Sequence, residues 1–185
     1  MMRRIVVLVL LAVLALSIPG LAHAQGLDLA TMVLTQADVP DGLRPNTGQT
    51  GPQTRDGIRG YQATFEGDPT RINPGSGGIV SVVNLVTLPT DPVTGLDEFV
   101  QSARQGMPGN PTDQPAPPVG DDGRAFTNTV GIGPFSISVA MTAFRRNSVV
   151  AGVMVMAAGN QAPSNDSLRL AQIVDQRVQQ VTAGQ

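Results

Sequence analysis

The sequence predicts an α+β fold: a mainly antiparallel sheet of about five strands with helices packed on it, behind an N-terminal signal peptide. Three observations predict it. Apolar residues alternate with polar ones, or run together, in two groups of short segments, the signature of half-buried and central strands. Two longer segments carry apolar residues three and four apart, the period of helices. The first 24 residues have the layout of an export leader.

In that leader, Met1-Met2-Arg3-Arg4 supplies positive charge, Ile5 to Leu16 is an unbroken apolar run of 12 residues, and Pro19-Gly20 breaks it. Ala22-His23-Ala24 places small residues where a signal peptidase reads them, so cleavage is expected between Ala24 and Gln25. A bilayer span needs about 20 apolar residues, so no stable membrane insertion is expected after cleavage. The apolar run after Arg3-Arg4 suits the general export route better than the twin-arginine one. Residues 1–24 are therefore read as the signal and 25–185 as a single domain, secreted or held in the periplasm or cell envelope.

Composition then removes whole chemistries. The chain has no cysteine, so neither disulfides nor a lipid-anchored cysteine is available. Its only histidine is His23, in the leader, and lysine and tryptophan are absent. A Ser-His-Asp or Cys-His device lacks its base, structural zinc lacks its usual ligands, and Schiff-base chemistry lacks its amine. Carboxylate chemistry, hydroxyl nucleophiles without histidine, and oxygen-ligated calcium or magnesium survive. Ten arginines face 14 acids once the leader is gone, a net charge of −4 that suits neither nucleic acid nor an anionic membrane.

The elements follow in order. LDLATMVL, Leu27 to Leu34, reads as a short helix closed by the turn residues Pro40-Asp41-Gly42, and Asn46 to Asp56 reads as loop. IRGYQATFE alternates Tyr61, Ala63 and Phe65 and is a half-buried strand; IVSVVNLVTL, Ile79 to Leu88, is mostly β-branched or Leu and belongs nearer the centre of a sheet. Thr94 and Asp97 form a capping box for a helix whose stripe is Leu96, Phe99, Val100, Ala103 and Met107, stopped by Gly106 and Pro108. Residues 108 to 118 hold five prolines in 11 and read as a stiff crossing without sheet hydrogen bonds, or a proline-motif ligand for another protein. GRAFTNTV, Gly123 to Val130, is a further strand.

Phe135, Ile137, Val139, Met141 and Ala143 alternate with small polar and Ala residues, and SVVAGVMVMA is their partner. With Arg146-Asn147 as a two-residue loop, Phe144 faces Val149, Met141 faces Gly152 and Val139 faces Met154. Ile137, Val139 and Met141 then share a face with Val150, Met154 and Met156. A final helix starts after Pro163 with Ser164 or Asn165 as cap, buries Leu170, Ala171, Val174, Val178 and Val181, and turns Gln172, Asp175, Gln176 and Gln179 to water. Strand runs followed by helices place the helices on one face.

ADVPDG after a short helix, VGDDGRAF, the hairpin FRRNSVV and the closing helix together resemble a set of exported bacterial domains. These are similar in fold to the photosystem PsbP protein and to extracellular sensor-like domains of bacterial kinases. The resemblance implies a fold and an export route and transfers no catalytic residue; the disulfides of the kinase sensors are missing here.

The candidate sites are few. Arg145 and Arg146, joined by Arg124, are the candidate contact for an anion or a partner, against the plainer expectation of a charged, soluble hairpin tip. Asp121-Asp122 offer oxygen ligands for calcium but lack the alternating Asp/Asn spacing of a calcium loop, so a strand-feeding turn is expected. Asp97-Glu98 point apart on their helix and make a poor acid-base pair. Met141, Met154 and Met156 are expected in the core, with an oily pocket as the alternative. No cofactor or metal is predicted. The expected function is a non-catalytic exported domain that binds an unknown partner protein or small molecule. The alternative is a carboxylate-dependent extracellular hydrolase, in which Asp121 or Asp122 and Glu66 converge within about 5–10 Å.

Overall fold

The computed structural model describes residues 26–68, 78–107, 109–132, 135–160 and 162–183, so the expected leader lies outside the described residues. In chain order the elements are a 3-10 turn Leu29–Thr31, β1 Leu43–Pro45, β2 Gly51–Arg55, β3 Ile58–Gly67, β4 Ile79–Leu88, helix α1 Pro92–Gly106, β5 Thr112–Gln114, β6 Asp122–Ile132, β7 Phe135–Arg146, β8 Val149–Ala158 and helix α2 Ser164–Ala183. Among the described residues every strand pairing is antiparallel, and the sheet runs β1-β3-β4-β8-β7-β6-β5, with β2 beside β1 on the outer edge of β3.

The fold class is as read, but the strand count rises from about five to eight. The five long strands are the five predicted; the additions are short edge pieces. β2 occupies the segment read as loop and turns into β3 through Asp56-Gly57, both at positive φ (51° and 80°), a two-residue turn that suits strand twist. β5 lies inside the proline-rich crossing, where Thr112 to Gln114 pair with Ala125 to Thr127. Prolines at 111 and 115 bracket it, which is tolerable only on an edge strand.

The Val- and Met-rich β8 is central, between β4 and β7, and both its faces need cover. The helices accordingly lie on opposite faces, which corrects the one-face expectation. Leu96, Phe99, Val100 and Ala103 of α1 pack with Phe126, Val139, Met141, Ala143 and Val150. Leu170, Ala171, Val174 and Val178 of α2 pack on the other side with Val82, Val86, Phe144, Val153 and Val155, joined by Met32 and Leu34 from the N-terminal segment. Full burial of a side chain such as Phe126 or Phe144 stabilises by about 1.5–3 kcal/mol each.

The hairpin keeps its predicted faces with a shifted register. Its turn is Asn147-Ser148, with Asn147 at φ 52°, so Arg146 pairs with Val149, Phe144 with Ala151, Met141 with Met154 and Val139 with Met156. Each β7 residue pairs two positions further along β8 than predicted, and an even shift leaves every side chain on its own face.

Three helix starts also differ. Only Leu29–Thr31 of the first predicted helix winds, as a 3-10 turn, because the Leu34 N–H donates to Asn84 Oδ1 (2.9 Å) instead of continuing a helix. The cap of α1 is Asp91, whose carboxylate accepts from the Val93 and Thr94 N–H groups, with Pro92 at the first helical position; Thr94 is already inside. Ser164 and Asn165 lie inside α2 rather than before it, and the Pro163 carbonyl accepts from the Ser167 N–H.

Candidate functional site

Arg145 and Arg146 are neighbours on a strand, so their side chains leave on opposite faces, yet both reach one internal anion, the Asp121 carboxylate, at 3.6 and 2.9 Å. Arg146 shares the α2 face. Its Nε and Nη2 donate to Asp175 Oδ1 and Oδ2, both at 2.7 Å, and its Nη1 donates to Asp121 Oδ1 at 2.9 Å. This forked geometry is the strong form of the ion pair. The hydrogen bonds to Asp175, partly opposed by burial, raise the Arg146 pKa further above its usual value.

The same two carboxylates organise the backbone around them. Asp121 Oδ2 accepts the Asn147 N–H (2.9 Å) and the Asp121 N–H donates to the Arg145 carbonyl (2.7 Å), which locks the hairpin turn against the entry to β6. The Gly120 N–H reaches Asp175 Oδ2 at 3.2 Å. Gly120 sits at φ 68°, and a Cβ there would collide with the Arg145 carbonyl oxygen, so only glycine fits. Asp175, predicted to face water, is 7% exposed. Its position was legible: it lies four residues after Ala171 and three before Val178, on the apolar stripe itself.

Arg145 lies on the α1 face with Arg124 and Asp122. Arg124 pairs with Asp122, two residues away on the same strand face. Arg145 has an ion pair of 3.6 Å from Nη1 to Asp121 Oδ2, and its Nε is enclosed without a hydrogen-bond partner. The expected hairpin tip is thus displaced. Asn147 and Ser148 are the exposed turn, while the two arginine side chains are only 24% and 21% exposed.

The carboxylates named for hydrolysis do not converge. Glu66 is on β3 and Asp122 on β6, four strand positions apart, which is about 19 Å at the normal strand spacing. Asp121 and Asp122 are instead engaged by arginines, and among the described residues no group of three or more acidic or histidine side chains gathers as a metal site. Asp97 and Glu98 are exposed on α1. Of the methionines, Met141 is buried, and Met154 and Met156 are half-buried against the α1 core.

The proline-rich crossing has a more concrete role. After β5 it passes over the α2 face of β6 and β7 and encloses a cleft of about 270 Å³. Ala125, Ala140 and Thr142 form its floor, Leu168 of α2 one wall, and Ala116 and Pro117 part of its roof. Small floor residues leave the space, and the prolines hold the roof without backbone freedom. The Thr142 and Ser167 hydroxyls are 3.0 Å apart and Ser167 also bonds the Val153 carbonyl, so the floor's polar groups are satisfied.

A second polar latch, Asp38 with Arg177, ties the N-terminal segment to α2 at 2.9 Å. Burial pushes the Asp38 carboxyl up, but hydrogen bonds from the Thr35 N–H and hydroxyl and from Arg177 outweigh it and hold the group below the usual carboxylate range.

No family model matches the chain, nor does any curated protein or solved structure. Among the described residues no helix is long and apolar enough to cross a membrane.

Proposed function

We propose that the chain is an exported, non-catalytic domain that binds a small molecule or a partner protein at the cell envelope or outside the cell, and that the cleft beneath residues 115–118 is where it binds. The observation that carries the reading is the cleft's uncommitted apolar lining: Ala125, Ala140, Leu168 and Pro117 bound free space, whereas most of the singled-out charged groups are spent on internal ion pairs. At about 270 Å³ it is slightly smaller than common ligand pockets, which favours a compact uncharged group, either a fragment-sized molecule or one apolar side chain. At the margin Ser164 and Asn165 offer hydrogen bonds for orientation, while the Gln114 amide donates to the Thr127 hydroxyl at 3.1 Å. The leader layout of residues 1–24, and the resemblance to exported bacterial domains, support the cellular address.

The test is an amide-shift titration with uncharged aromatic fragments, repeated on Ala125→Leu, which fills the cleft from a half-buried position. Shifts centred on Ala125, Thr127, Ala140 and Leu168 that disappear in the variant are expected. Shifts elsewhere, or shifts that survive the substitution, reject the cleft.

A further inference from the structure

The side chains that oxidants attack most readily are few here. Cysteine and tryptophan are absent from the sequence, and the chain has one tyrosine. The remaining soft targets are methionine thioethers, and the fold sorts them sharply. Met32 is fully enclosed, and Met107 and Met141 are 8% and 6% exposed. Met154 and Met156 are half-buried on one face of β8, so they are the methionines in the described strands and helices that solvent reaches most.

Their position gives oxidation a structural consequence. Met154 pairs across the sheet with Met141, and Met156 with Val139, on the face that α1 covers. Both methionines pack against the cluster built from Leu96, Phe126, Met141 and Val150, together with Phe99, Val100 and Ala103 of α1. Next along the same face, Gly152 lies so close to Phe99 that a Cβ there would be 2.5 Å from the ring. The helix thus rests on a surface partly made of thioethers, and α1 itself buries only Gly95 and Leu96 completely. A sulfoxide oxygen turns a flexible apolar side chain into a polar one and weakens apolar contacts of this kind.

We propose that Met154 and Met156 form an oxidant-reactive site that controls the docking of α1. Each thioether sulfur takes one oxygen atom from a peroxide: the peroxide O–O bond breaks, a sulfur–oxygen bond forms, and hydrogen peroxide leaves as water. The sulfur is oxidised by two electrons and the peroxide reduced by two. The added oxygens face the α1 interface and loosen the helix, while α2, on the other side of the sheet, keeps its contacts. Sulfoxide reduction reverses the change.

The experiment treats the full chain with hydrogen peroxide and follows each methionine by peptide mass mapping, with amide hydrogen exchange of residues 92–106 and 164–183 before and after. Met154 and Met156 are expected to oxidise at least about tenfold faster than Met32 and Met141, and exchange is expected to rise in α1 but not in α2. Met154→Leu/Met156→Leu, which conserves volume, should fold and bind α1 as before and abolish the peroxide-induced rise. Comparable oxidation at Met32 overturns the assignment of the site. Unchanged α1 exchange in protein oxidised at both positions, or the same rise in the double variant, overturns its control of the helix.

Discussion

At the scale of single residues, Asp175 shows how a charge can be buried at modest cost: its two oxygens meet two guanidinium N–H groups in plane, and the Gly120 N–H adds a third donor. Removing Asp175 leaves the half-buried Arg146 with Asp121 as its carboxylate partner and two of its donors unmatched. Asp175→Ala should lower stability by about 2–4 kcal/mol in urea unfolding, while Arg146→Met/Asp175→Leu, which replaces the pair by apolar side chains, should lose less than the single variant. An equal or larger loss in the double variant would show that the pair is worth more than its desolvation. Asp38 has a pH signature. Its folded-state pKa lies below the ordinary value, so the carboxylate stabilises the fold at neutral pH, and that contribution is lost as pH falls below about 4, through the folded-state value. Asp38→Asn should therefore melt below the parent at pH 7, and the difference should shrink towards zero in strong acid. A gap independent of pH would contradict the ion pair with Arg177.

At the scale of elements, what local pattern dictates was legible and what a neighbour dictates was not. The alternation of Val139, Met141 and Ala143 made β7 readable, and its face survived a two-position error in register because side-chain direction has period two. The error itself came from the turn: either Arg146-Asn147 or Asn147-Ser148 puts Asn147 in the loop, and the choice rests on Arg146 being held in the strand by Asp175, 29 residues away in sequence. The missed strand β2 carried a visible signal in Asp56-Gly57, whereas β5 had none, since three residues between prolines become a strand only because β6 offers an edge. The α1 interface is the element most open to a direct test. Gly152→Val should push Phe99 away, cost about 1–3 kcal/mol, and raise amide exchange in residues 92–106 more than in α2. Uniform loss of protection throughout the molecule would mean that α1 and the sheet open together.

At the scale of the whole molecule, two halves of strand and helix share one sheet through the β4–β8 pairing, and a large core on the α2 face is balanced by a smaller one under α1. With no disulfide available, those two cores and the polar latches between distant segments hold the fold. The proposed leader, residues 1–24, belongs to this scale too, because its removal would set where the molecule works. Protein recovered from a bacterial envelope or medium fraction should begin at Gln25 by N-terminal sequencing; a mature product that retains Met2 or His23 would refute cleavage after Ala24.

By itself the sequence determined the period of each long strand and helix, the face each apolar residue takes, and the chemistries that the absent side chains forbid, since these depend on a residue and its near neighbours. Only the tertiary structure decided that the helices lie on opposite faces, that Asp175 and Asp121 claim Arg146, and that a proline-rich crossing roofs a cleft. Each of those depends on which distant groups meet once both faces of β8 must be covered, and no local pattern records that meeting.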